Sequence, residues 1–210
     1  MVLDDHRAGA DRILGPLAKV FIKWNPNTLS LISFLLAILA AFCIFFADRA
    51  WQVLLPLASV LILLSGLFDA VDGKVARLAG KSSRRGDFVD HVLDRYSDLI
   101  LIGAVGVSSW SDPYLGILAL SGVLLTSYMG TQAQAVGAGR NYGGLLGRAD
   151  RMVLLIGVPL VQWALMSFGI DSFTVLTFTI TVFDLMMIWF AVVGHLTAIQ
   201  RAVSTYKRIK

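Results

Sequence analysis

Cysteine, glutamate and charge are all scarce in this 210-residue chain. The single cysteine, Cys43, excludes an intramolecular disulfide. None of the fourteen acidic residues is a glutamate, so any carboxylate chemistry falls to aspartate. No nucleophilic cysteine or Ser–His pairing is evident. Charged residues make up only 15% of the chain, against 57% hydrophobic residues and a mean hydropathy of +0.74. So thin a polar coat excludes an ordinary soluble domain. Low-complexity tracts and internal repeats are absent too.

What is there is a series of apolar runs near twenty residues, the length that crosses about 30 Å of hydrocarbon. They predict six spans, at about 28–47, 53–79, 87–109, 114–137, 150–168 and 173–199. The expected fold is therefore an all-α integral membrane protein with six transmembrane helices. Residues 1–24 form a separate juxtamembrane segment, and 25–210 the helical domain. In the segment, Ile13, Leu14, Leu17, Val20 and Phe21 alternate at helical spacing with Arg7, Asp11, Arg12, Lys19 and Lys23. That pattern predicts an amphipathic helix lying in the membrane interface. No cleavable signal peptide is expected, because the N-terminus is charged and its first long apolar run starts near Leu29. Pro26 interrupts the chain, and Asn27 or Thr28 is placed to cap the first span.

With the N-terminus cytoplasmic, Arg49 alone of the 18 Lys and Arg falls outside. This positive-inside bias predicts a multi-pass protein of the cell membrane. It also accounts for the net charge of +4 without nucleic acid, since the basic residues face anionic headgroups and phosphorylated substrates.

One stretch stands apart. Asp69, Asp72, Gly73 and Ala76 share a helix face, and Gly86, Asp90 and Asp94 share another beyond a basic loop at 80–85. If the loop turns the helices together, the carboxylates form an oxygen-rich cage suited to hard divalent cations. Aspartates near a span end are expensive unless they hold metal or line a wet cavity. Lys74 and Arg77 add positive charge where a diphosphate would lie. Two ions held there would neutralise charge at the attacking and leaving oxygens of an in-line displacement. Asp94, one turn deeper, is the candidate general base. His91 points about 100° from Asp90 on the helical wheel and is left out of the site. An ion-coupled transporter is the alternative use for such a cluster. Coupling carboxylates, however, usually sit near the midplane in repeated halves, and this chain has no repeat.

The run Asp69-x-x-Asp72-Gly73-x-x-Ala76-Arg77, eight residues, Gly86-x-x-x-Asp90-x-x-x-Asp94 resembles the signature of the CDP-alcohol phosphotransferases at every specified position. Pro26-Asn27-Thr28-Leu29-Ser30 also resembles the start of the family's first span. The resemblance implies an enzyme of phospholipid biosynthesis that moves a lipid phosphate from a CDP-linked lipid, CDP-diacylglycerol or CDP-archaeol, to an alcohol, releasing CMP. It implies Mg²⁺ or Mn²⁺, as two ions, bound by Asp69, Asp72, Asp90 and Asp94, with Asp94 as base. Asp69, Asp72, Gly73, Arg77 and Gly86 would contact the CDP moiety. A homodimer is implied as well. Ser127-Tyr128 and Gly144-x-x-x-Arg148-x-x-Arg151 resemble the inositol-phosphate-accepting branch, with Tyr128, Gln132, Arg140, Arg148 and Arg151 as acceptor contacts. Residues 130–134, Gly-Thr-Gln-Ala-Gln, depart from that branch, which keeps serine, glycerol phosphate and free inositol open as acceptors.

Overall fold

The computed structural model describes residues 7–209. Seven helices run through them: α1 (Arg7–Val20), α2 (Pro26–Phe45), α3 (Trp51–Leu78), α4 (Arg84–Val107), α5 (Pro113–Ala135), α6 (Arg148–Ser167) and α7 (Val182–Arg208). Five of them, α2, α3, α5, α6 and α7, are long and apolar enough to cross a membrane. The sixth long helix, α4, has 24 residues but carries Asp87, Asp90, Asp94, Arg95 and Asp98 toward its N-terminal side. The chain is a multi-pass helical membrane protein.

One expectation needs correction. The run from 173 is not helical at its start: Phe173–Val175 and Phe178–Ile180 pair as antiparallel strands β1 and β2, and helix resumes only at Val182. Phe, Thr, Val and Ile fill this stretch, and aromatic and β-branched residues favour strand over helix. Hydropathy, which sets span length, is blind to that preference.

Several helix ends have a local cause. Asn25, rather than the expected Asn27 or Thr28, caps α2: Pro26 already takes the first helical position, and the Asn25 side chain accepts from the Asn27 N–H. Ser83 caps α4 by accepting from the Gly86 N–H at 3.1 Å. Gly80, at φ +64°, ends α3 in the left-handed conformation, and the Lys81 N–H returns to the Ala76 carbonyl at 2.9 Å. Asp184, an isolated acid in a span, belongs to the end of α7. Its Oδ2 accepts from the Thr181 N–H and its Oδ1 from the Asp112 N–H. It ties the turn before α5 to the head of α7.

Lipid is as apolar as leucine, so close packing and interhelical hydrogen bonds must hold the helices together. Ser33 and Ser65 hydrogen-bond reciprocally to each other's carbonyls between α2 and α3, at 2.8 and 2.9 Å. Gly122 of α5 and Gly194 of α7 bring two backbones so close that a Cβ on Gly194 would stand 2.8 Å from the Gly122 carbonyl carbon. Phe183, Met187 and Phe190 of α7 and Leu101 and Ile102 of α4 fill the centre. The apolar side of α1 packs on α3: Leu14, Leu17 and Phe21 meet Leu67, Phe68, Val71 and Val75. The side chains of Arg7, Asp11, Arg12 and Ile13 lie outside the described residues. Alternation of direction puts the α3–α4 and α5–α6 loops and the C-terminal end of α7 at one end of the bundle, with the motif.

Candidate active site

Asp69 and Asp72 sit in the last turns of α3, and Asp90 in the second turn of α4. α2 packs against both helices and so sets their separation. The carboxylates of Asp69, Asp72 and Asp90 offer oxygens within 4.8 Å of one another, and Asp90, His91 and Asp94 form a second such group. Three carboxylates converging this tightly repel one another, and a divalent cation with oxygen preference relieves that repulsion. The donor set therefore fits a hard metal ion.

Asp72 is 3% exposed, and Ser30 Oγ donates to its Oδ2 at 2.5 Å. The serine belongs to α2, in the stretch that opens the first span. Beside it a cavity of about 460 Å³ is lined by Asn27, Gly73, Arg77 and Gly86 among others, with Lys23 and Lys81 at its basic rim. A Cβ on Gly73 would meet nothing closer than Arg77 Nη1 at 3.5 Å, so the space above this glycine is open to a ligand. Ser30, Asn27 and Lys23 were not among the expected site residues. The only signal for Asn27 and Ser30 is the short Pro-Asn-x-Leu-Ser run, and Lys23 lies just before it.

A second cavity, of about 570 Å³, adjoins the first at Asp90. Tyr128, Arg140, Arg148 and Arg151 line it, as do Asp94 and Arg95. Gln132 is exposed on α5 and does not line it. Arg148 pairs with Asp69 at 2.8 Å and with Asp94, to which its Nη1 donates at 2.6 Å. Arg151 is 4% exposed and donates to Asp98 at 2.7 Å, while its buried Nε has no partner. Arg95 lies 3.6 Å from Asp94 and 3.4 Å from Asp98, and it touches Ser127. Asp69, Arg148, Asp94, Arg95, Asp98 and Arg151 thus alternate in sign across α3, α6 and α4. The spacing of four between Asp94 and Asp98 on α4 meets the spacing of three between Arg148 and Arg151 on α6.

His91 lies nearer the chemistry than its position on the wheel implied. Its Nδ1 is 3.5 Å from Asp90 Oδ2, and its Nε2 contacts Arg140. A wheel gives the direction of Cβ, and the imidazole is long enough to swing back toward Asp90. Arg201 and Asn141 also line the second cavity, though neither belongs to a motif in the sequence. Arg201, 7% exposed, donates Nε to the Gly143 carbonyl and Nη1 to the Thr126 carbonyl, both at 2.7 Å. Asn141 Nδ2 donates to the Arg201 carbonyl and to Ser204 and Thr205. Together they strap the α5–α6 loop to α7. Arg201 lies just past the predicted end of the sixth span, where a basic residue is expected from the positive-inside bias alone.

The arrangement can hold divalent metal, cradle a diphosphate beside it and present a carboxylate to a second, anionic reactant. Comparison with known proteins identifies the family. Residues 23–197 match the family model described as CDP-alcohol phosphatidyltransferase. An archaetidylinositol phosphate synthase from Methanothermobacter thermautotrophicus is 28% identical over 152 residues, covering 72% of this chain and 71% of that one. A bifunctional IPC transferase and DIPP synthase from Archaeoglobus fulgidus is 30% identical over 145 residues, or 66% of this chain but only 28% of that longer protein. In fold, the Mycobacterium tuberculosis phosphatidylinositol phosphate synthase solved with CDP-DAG bound superposes with a TM-score of 0.70 at 20% identity, covering 93% of this chain and 94% of that chain. The same enzyme is also known in complex with manganese and citrate. The family model spans the cluster, the first cavity, all of the second but Arg201 and most of the bundle, and the chain belongs to the CDP-alcohol phosphatidyltransferase family.

Proposed function

We propose that the protein transfers a lipid phosphate from a CDP-linked lipid to inositol phosphate, releasing CMP. The observation that carries the acceptor is the arginine-lined cavity of about 570 Å³ that opens beside Asp94 and meets the other cavity at Asp90. A neutral alcohol has no use for several guanidinium groups next to a cation site, whereas a phosphate dianion does. The related archaetidylinositol phosphate and phosphatidylinositol phosphate synthases make this acceptor class the natural candidate.

In this reading the diphosphate lies along Gly73, Arg77 and Gly86, with Lys23 and Lys81 at the rim. Asp69, Asp72 and Asp90 would hold divalent metal, Mg²⁺ or Mn²⁺ as two ions, with Asp94 at the margin. The metal, when bound, neutralises diphosphate charge and the charge that develops on the leaving phosphate. Ser30 keeps Asp72 aimed at that position. Asp94 takes the proton of the acceptor hydroxyl as its oxygen attacks the lipid-bearing phosphorus. Arg140 and Arg148 bind the acceptor phosphate, the unpartnered Nε of Arg151 gives a donor at the cavity floor, and Tyr128 borders the entrance. Gln132 faces outward and adds no contact in this geometry.

Six spans follow if α4 crosses with its charged half at the site, leaving α1 as an interfacial helix. The site then faces the cytoplasm, where 17 of the 18 Lys and Arg gather. A homodimer through apolar helix faces completes the proposal. The test is a panel of labelled inositol phosphate, glycerol phosphate, free inositol and serine, incubated with membranes and CDP-lipid and scored by CMP release. Inositol phosphate should lead. CMP release with serine or free inositol at an equal rate would reject this acceptor.

A further inference from the structure

Arg148 opens α6 and reaches two other helices at once. Its Nη2 lies 2.8 Å from Asp69 Oδ1 of α3, and its Nη1 donates to Asp94 Oδ2 of α4 at 2.6 Å. Nη2 also meets Asp94 Oδ1, so the guanidinium forks over both oxygens of that carboxylate. The Asp94 side chain is 8% exposed and that of Arg148 39%, so an entering molecule meets the arginine first. Arg95 stands behind, 3.6 Å from Asp94, and remains to orient it if Arg148 moves.

A carboxylate whose two oxygens are spanned by one guanidinium has its best proton-accepting lone pairs in use. A base in that condition cannot also lie within hydrogen-bond reach of a hydroxyl along the same direction. Yet the fork can be exchanged. A phosphate dianion presents three oxygens and more charge than a carboxylate, and Arg binds it in the same bidentate fashion.

Resting on the inositol-phosphate reading above, we infer that the acceptor's phosphate draws Arg148 off Asp94, so that recognising the acceptor and freeing the base are one event. The acceptor hydroxyl then meets a free carboxylate. Its proton passes to Asp94, and its oxygen bonds to the lipid-bearing phosphorus. The bond from that phosphorus to the CMP oxygen breaks, and CMP leaves with the electron pair. A neutral alcohol in the same cavity leaves the fork closed. Selectivity for phosphorylated acceptors is thereby expressed in kcat, since the energy of binding the remote phosphate is spent on readying the reacting centre.

The experiment compares wild type, Arg148→Ala and Arg148→Lys with inositol phosphate and with free inositol, separating kcat from KM. Mn²⁺ binding is measured alongside by electron paramagnetic resonance without substrates. In Arg148→Ala, kcat/KM for inositol phosphate should fall about 100-fold while kcat for free inositol rises about tenfold, so the two acceptors change in opposite directions. Mn²⁺ affinity should rise, because Asp69 and Asp94 lose a competing cation. An arginine that only supports the fold would lower it on removal. Arg148→Lys, which keeps the charge but cannot fork, should raise free-inositol kcat several-fold and carries the test if the alanine variant fails to fold. Loss of free-inositol turnover in step with inositol phosphate, or weaker Mn²⁺ binding, would overturn the inference. A wild type indifferent to the acceptor phosphate would instead reject the acceptor assignment itself.

Discussion

Asp72 is almost wholly buried, and Ser30 from a different helix donates to it. A hydrogen bond to a charged group is worth about 1.5–3 kcal/mol, or roughly 10- to 100-fold in an equilibrium or rate. Ser30→Ala should therefore lower kcat/KM for CDP-lipid by about that factor and leave the acceptor KM nearly unchanged, as steady-state kinetics would show. Asp94→Asn should abolish turnover yet keep CDP-lipid affinity, because a base acts only when the acceptor reacts. Equal loss of nucleotide binding would make Asp94 a ligand instead. Lower in the bundle, the ion pair between Asp98 and Arg151 is buried on both sides. Removing Arg151 alone strands a charge, which costs about 3–5 kcal/mol, so Arg151→Ala should melt well below wild type. The double change Asp98→Leu with Arg151→Met should restore much of the Tm while leaving the acceptor KM raised.

Among the elements, the α5–α6 loop is held by side chains rather than by secondary structure. Arg201 ties down the Gly143 and Thr126 carbonyls and contacts that of Tyr142 at 3.3 Å, and the Leu146 N–H donates to Thr197 Oγ1 at 3.0 Å. The loop carries Arg140 and delivers Arg148 to the cavity. Arg201→Gln should loosen it and raise the acceptor KM about tenfold with little effect on CDP-lipid, since effective positioning is lost on one side of the site only. Equal changes in both KM values would mean that the whole bundle had shifted. The contact between α5 and α7 is tighter still. A leucine at Gly194 would drive side-chain atoms into the Gly122 backbone, and Gly194→Leu should unseat both helices.

For the whole molecule, the uneven charge makes orientation testable. With Cys43 replaced by alanine, a single cysteine at Ser82 in the α3–α4 loop should react with a membrane-impermeant maleimide only from the cytoplasmic side, and one at Ser172 only from the other. Labelling of both from one side would refute the proposed topology. Activity should vanish in excess chelator and return with Mg²⁺ or Mn²⁺, as expected of three carboxylates within 4.8 Å of one another.

The sequence by itself determined the membrane class, the helix order and the gathering of Asp69, Asp72 and Asp90. Apolar run length is a local property, and Asp69 to Asp94 lie on two consecutive helices whose spacing places their carboxylates directly. The short strands at 173–180 were hidden because hydropathy carries no record of β preference. What only the tertiary structure decided was every partnership between distant segments. Ser30 reaches Asp72 across 42 residues, and Arg148 reaches Asp94 across 54. Arg201 closes on the loop near Gly143 across 58. None of these pairs lies within the reach of a helical period. Each exists because close packing of α2 on α3, of α6 on α3 and of α5 on α7 fixes helix faces opposite one another, and in lipid that packing depends on glycine and serine contacts whose partners a linear reading does not name.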